Sequence, residues 1–160
     1  MSCSNIKKKW SALLLCSAVV AAAQADDSRA QSVTPLPKYQ QECTACHMAF
    51  PPGMLPAASW SRIMSTLGKH YGTDASLDAV SAREIGTWLQ THAGTYKSVN
   101  EVPQQDRISR TAWFLREHDA TEVPASVWKR PAVGSPANCT GCHTHAAQGR
   151  FSEREISIPK

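Results

Sequence analysis

Two short stretches of this 160-residue sequence repeat one chemical pattern: CTACH at Cys43–His47 and CTGCH at Cys139–His143. No helical or strand periodicity in the chain constrains its fold as strongly, because C-x-x-C-H calls for a large flat partner. Two thiols separated by two residues lie on one turn of backbone, close enough to add across the two vinyl groups of a porphyrin. The histidine after the second cysteine then falls beneath the ring, where its imidazole binds iron. Cys43, Cys46, Cys139 and Cys142 are the expected anchors of two covalently attached haem c groups, and His47 and His143 the expected proximal iron ligands.

Other uses of paired cysteines fit less well. A structural zinc needs four ligands in one tetrahedron, and here Cys139 lies 93 positions after Cys46. A thioredoxin-like dithiol belongs beside a βαβ unit, and no alternating β-branched strands flank either motif. Two plain disulfides would leave both trailing histidines without a purpose.

The front of the chain points to export, where haem attachment takes place. Lys7, Lys8 and Lys9 precede an apolar run from Trp10 to Ala23, and Ala23-Gln24-Ala25 reads as a cleavage site ahead of Asp26. The run has the length of a signal peptide rather than of a membrane span. Residues 1–25 are therefore expected to be removed, taking Cys3 and Cys16 with them and leaving only the four motif cysteines. Without the three signal lysines, 14 basic residues face 13 acidic ones, so nucleic-acid binding has no electrostatic support. The expected location is periplasmic.

Helical periodicity appears three times. Trp60, Ile63, Met64 and Leu67 form one apolar stripe, with Ser59 as expected N-cap and Gly68 as stop. Ser81 and Glu84 read as a capping box before Ile85, Trp88, Leu89 and His92, closed by Gly94. A third helix is expected within residues 106–118, aligning Ile108, Ala112 and Leu115, with Phe114 and His118 one turn apart. Pro124, Pro131 and Pro136 make residues 121–137 an irregular connection. The fold class is all-α: a small haem-centred helical fold with extensive loops and two haem-binding lobes. Two porphyrins supply apolar surface that side chains alone do not provide at this length. The polar, Pro-containing stretch 96–105 marks the expected boundary, giving an N-terminal haem lobe (26–100) and a C-terminal one (101–160).

Each iron has a second axial position. The remaining histidines are His70, His92, His118 and His145, and the candidate methionines are Met48, Met54 and Met64. The choice matters because Met/His ligation raises a haem's potential. His70 follows His47 by 23 residues and His118 precedes His143 by 25, so each has room to return to a distal face. Each also reads as a surface histidine, His70 beside Lys69 and His118 between Glu117 and Asp119. His92 is the competing candidate: it extends the Ile85, Trp88, Leu89 face, where such a residue more commonly serves as a core-edge histidine. His145 and Met48 lie too close to a proximal histidine to cross over the same iron. Met64 continues an apolar stripe and reads as packing, and Met54 is a second choice for the first haem. The order of motif and distal candidate reverses between the two halves, so tandem duplication is not indicated.

The blocks PPGMLPAASW and NCTGCHTHAAQGRF, set in near-continuous likeness along the chain from Gln41, resemble the bacterial dihaem cytochrome c family, DHC. The resemblance implies two low-spin haems with bis-histidine ligation, and points to His70 and His118 as the distal partners of the two proximal histidines. It also implies a periplasmic electron carrier whose redox partner is a membrane b-type cytochrome or a small soluble cytochrome. His145 stands where relatives are expected to carry an acidic residue, and is not counted as a ligand.

With both axial positions filled, a haem has no place for substrate, and electron transfer is the leading reading rather than an enzyme activity. The rivals are a peroxidase-like dihaem enzyme and a redox or gas sensor, each needing one open haem site. No acid–base constellation or fused signalling segment supports them.

Overall fold

The computed structural model describes residues 33–160; the expected signal peptide, residues 1–25, lies outside them. Among the described residues, five helices are joined by 3₁₀ turns and loops. The only β-bridges among the described residues are two isolated ones, His70 to Thr73 and His143 to Ile156. The all-α expectation holds.

The first helix, α1 (Pro37–Cys43), has proline in its opening turn, where the missing N–H is no loss. It buries Tyr39 and ends on Cys43, so the first C-x-x-C-H motif starts where a helix stops. Thr44 closes it, amide and hydroxyl both donating to Gln40 O. The second, α2 (Ala57–Ser65), starts earlier than the Ser59 cap expected from sequence: Pro56 offers its carbonyl to the amides of Ser59 and Trp60 (3.0 and 3.3 Å), and Ser59 is fully buried in the first turn. It also ends before Gly68. The hydroxyls of Ser65 and Thr66 both donate to Arg62 O at 2.8 Å, satisfying a carbonyl that a further turn would otherwise use.

The longest helix is α3 (Ala79–Thr91). Its cap is Asp78, not Ser81: the Asp78 carboxylate accepts from the amides of Val80 and Ser81 at 2.9 and 3.0 Å. Asp is as good an N-cap as Ser, and its position starts the helix almost one turn sooner. Helices α2 and α3 pack directly together, with Gly86 close against Met64. Tyr39, Leu55, Trp60, Ile85 and Leu89 form the first core there.

The third expected helix is broken. Ile108–Arg110 makes a single 3₁₀ turn, Thr111 is extended (φ −66°, ψ 148°), and α4 covers only Ala112–Glu117. The break rotates the apolar face: Trp113 and Phe114 are buried, whereas Leu115 is 52% exposed. Thr111 is buried, accepts from Phe114 N and donates to Ile108 O at 2.8 Å. A Thr111→Val variant keeps the shape and removes both bonds. It should lower unfolding free energy by about 0.5–2 kcal/mol, as losing a helix cap does, read as a shifted urea midpoint with unchanged slope.

The stretch expected to be irregular carries a one-turn helix, α5 (Ala125–Trp128), which opens behind Pro124 and brings Trp128 to a second core. That core gathers Met54, Tyr96, Val99, Trp113 and Phe114, with Ile108, Trp128 and Phe151 packed against it. Its members come from both sides of residue 100. Within the N-terminal side, Gly53 lets the turn carrying Met54 lie close against Thr95 and Tyr96, since a Cβ there would stand 2.4 Å from Thr95 Oγ1.

Candidate haem sites

At the first motif, α1 delivers Cys43 and the following turn delivers Cys46 and His47. Nδ1 of His47 donates to Met48 O at 2.7 Å. A carbonyl can only accept, so the proton sits on Nδ1 and the Nε2 lone pair is free for a metal. The ring packs 5.0 Å from Phe50 and faces His70, with ring centres 6.1 Å apart and planes at 32°. His70 arrives at the end of the 3₁₀ turn after α2. Its backbone enters a tight reversal in which Tyr71 (φ 49°) and Gly72 (φ 97°) are both left-handed and Thr73 N returns to His70 O at 3.0 Å.

The second motif is held differently. Its own turn is closed by His143 N to Cys139 O at 2.8 Å, and Asn138 Nδ2 ties it to Val133 O. The C-terminal segment straps its back: Ser157 N donates to Cys142 O at 2.8 Å, Ile156 bridges His143, and Arg130 anchors the end of the strap at Pro159 O. Opposite His143 stands His118, ring centres 6.0 Å apart and planes at 68°. His118 closes α4 and is doubly fixed by Phe114: its Nδ1 donates to Phe114 O at 3.1 Å, and its ring stacks on the Phe114 ring at 4.1 Å and 10°. Phe151 lies 5.4 Å from the His143 ring.

The electrostatics suit metal ligation. Burial lowers the pKa of His70, His118 and His143, and a facing histidine adds to it for His70 and His143. Both effects favour the neutral ring, the form that binds metal. Burial pushes the Cys43 and Cys139 thiols up to about 11, with Glu42 adding to the effect at Cys43. An activated redox dithiol would show the opposite shift. No disulfide joins any of the four motif cysteines. Among the described residues, no three or more His, Cys, Asp or Glu side chains gather as a metal cluster, which is the arrangement zinc would need.

The spacing of the imidazoles tests whether these residues fit a haem. Metal–nitrogen bonds of about 2 Å on either side of one metal, plus the half-width of each ring, put two axial imidazole centres roughly 6 Å apart. Both pairs have this separation. Both pairs fit.

The other sequence candidates are placed elsewhere. His92 caps α3, with Nδ1 donating to Trp88 O and its ring against Trp88. His145 lies 3.5 Å from Glu155. Met48 supplies the carbonyl that holds His47. Met54 is 1% exposed in the second core, and Met64 packs against the first. Sequence reasoning missed Phe114 as a brace for His118, although its spacing of four residues on one helix was visible. It missed the C-terminal strap, which is made largely of backbone bonds and carries no side-chain signal.

The dihaem cytochrome c family matches residues 39–151. Among solved structures, the chain is similar to the diheme cytochrome c from Shewanella baltica OS155, with 37% identity and a TM-score of 0.67 over 77% of this chain and 92% of that one. It is likewise similar to DHC purified from Rhodobacter sphaeroides, with 40% identity and a TM-score of 0.64 over 74% of this chain and 98% of that one. A second Rhodobacter sphaeroides diheme cytochrome c structure matches at 39% identity and a TM-score of 0.66. No curated protein matches the chain.

Proposed function

The chain belongs to the dihaem cytochrome c family, with two covalently bound haem c groups, and from that premise we propose that it is a periplasmic one-electron carrier with bis-histidine ligation at both irons. In this reading Cys43, Cys46 and His47 hold the first haem, with His70 as its distal ligand. Cys139, Cys142 and His143 hold the second, with His118 distal. One observation carries the proposal: each motif histidine faces a second histidine across about 6 Å.

The bound haems supply the one-electron chemistry, and the protein sets the conditions for it. Nδ1 donation by His47 and His118 to backbone carbonyls fixes each tautomer and leaves Nε2 as the ligand atom. Four neutral imidazoles keep the coordination shell the same in both oxidation states, so little has to move when an electron passes. A shell closed on both sides leaves no position for a substrate, which favours a carrier over an enzyme or a gas sensor. The partner is a membrane b-type cytochrome or a small soluble cytochrome, docked weakly and briefly as redox partners are. Export delivers the chain to this compartment.

Optical spectra of the purified protein in both oxidation states, with and without carbon monoxide, test the reading. Low-spin spectra that carbon monoxide does not alter on mixing are expected. Immediate carbon monoxide uptake by either haem would overturn closed ligation and favour an enzyme or sensor. A sulfur-to-iron charge-transfer band would place a methionine on iron instead.

A further inference from the structure

The two distal histidines are held by different means. His118 is locked by its own ring, bonded and stacked on Phe114. The His70 ring makes no hydrogen bond to any described residue, and a small polar cleft of about 80 Å³ lies beside it, lined by Thr66, Lys69, Tyr71, Gln105 and Asp106 among others. No hydrogen bond of its own fixes that ring in place.

What holds it is a clasp on the neighbouring residue. The Tyr71 ring meets His70 edge-on at 4.9 Å. Its hydroxyl donates to the carbonyl pair of Gln105 and Asp106 (3.2 and 3.0 Å), and the Arg107 guanidinium sits 4.2 Å over its ring face. The Asp106 carboxylate is gripped at both oxygens by Arg62 of α2, with contacts of 2.6 to 3.2 Å. Arg62 leads directly to His70 along the chain, so segment 104–107 is stapled across the His70 turn at both ends.

Backbone strain marks the same place. Four non-glycine residues among those described have positive φ, and three of them, Tyr71, Gln105 and Asp106, belong to this clasp. Such conformations persist only where surrounding contacts over-determine them, and they gather at functional positions. The clasped segment then runs through Arg107 and the 3₁₀ turn to Thr111, the cap of α4, which ends at His118.

We propose that Tyr71, Asp106 and Arg107, fastened by Arg62, are positioning residues that keep the His70 imidazole on the first iron. This rests on the reading of His70 as a distal ligand. The ring planes offer a way to see each centre separately. Near-parallel imidazoles (32°) reinforce each other in splitting the iron π-orbitals, and near-perpendicular ones (68°) oppose each other. The ferric protein should therefore give two distinct low-spin electron paramagnetic resonance signals, the more anisotropic one from the second centre.

The experiment compares the doubly loaded protein with Tyr71→Phe, Tyr71→Ala and Arg62→Met. In each folded variant, the less anisotropic signal should shift or shrink while the other stays. The reduced variant should take up carbon monoxide with an amplitude of one haem in two. Its uptake should be roughly tenfold faster or more, the scale of losing one hydrogen bond's restraint. Should Tyr71→Ala fail to load both haems, Tyr71→Phe and Arg62→Met, which keep most of the packing, decide. Variants with wild-type signals and wild-type carbon monoxide kinetics reduce the clasp to a loop fastener and overturn the proposal, even if they melt earlier. A wild-type protein that lacks the less anisotropic low-spin signal, or whose first haem binds carbon monoxide at once in a background without Cys139 and Cys142, shows that His70 is not on iron; the ligation reading then falls together with the clasp.

Discussion

A Cys139→Ser/Cys142→Ser double variant should carry one haem where the unaltered chain carries two. Serine hydroxyls do not add across vinyl groups, so the mass of the intact protein should fall by one haem and the reduced-minus-oxidised absorbance should drop by about half. The structural consequence should be as large as the chemical one. Phe114, Trp128 and Phe151 surround the paired rings of His118 and His143, and the second core is small. Without the porphyrin, those faces meet water. The loss should reach at least the ~3–5 kcal/mol that follows removal of one buried aromatic ring. Denaturant unfolding followed by tryptophan fluorescence should then show this half of the molecule melting first. The matching Cys43→Ser/Cys46→Ser variant should lose the other haem and leave the second signal in place. A variant that still carries two thioether-linked haems would refute the assignment of these cysteines.

His70→Met and His118→Met should each raise the reduction potential of one iron and leave its neighbour near its original value. Replacing an imidazole by a thioether withdraws electron density that stabilises the ferric state. The rise should be on the order of 100 mV, well inside the ~0.8 V range over which axial ligands set haem potentials. A sulfur-to-iron band should appear in each oxidised variant. Combining each substitution with the single-haem backgrounds assigns the pairs. The His70→Met band should survive loss of Cys139 and Cys142 and vanish with loss of Cys43 and Cys46. The His118→Met band should do the reverse. A crossed result would mean that the 6.1 and 6.0 Å ring pairs do not share iron atoms.

How far these features could be read from residues alone depended on range. The cysteine motifs are local, and their chemistry follows from five consecutive residues. Helices α2 and α3 were visible because Trp60, Ile63 and Met64, and Ile85, Trp88 and Leu89, repeat with the helical period. Their starts were misplaced because several residues could serve as caps, and the carbonyl of Pro56 and the carboxylate of Asp78 lie upstream of the serines that drew attention. Helix α1 went unread because seven residues are too few for periodicity, leaving Pro37 as its only marker. The break at Thr111 was hidden as well, since threonine is tolerated inside helices and its buried bond to Ile108 exists only once the chain has turned.

The residues by themselves determined that this polypeptide carries two porphyrins through four cysteines and that its scaffold is helical, because thioether chemistry and helical periodicity act over a few neighbouring positions. Which imidazole faces which was decided only in three dimensions. His70 and His118 reach their partners across more than twenty residues, and in sequence each also reads as a surface histidine. The choice came from packing: Phe114 beneath one ring, and a strained tyrosine clasp fastened from 34 to 44 residues away beside the other.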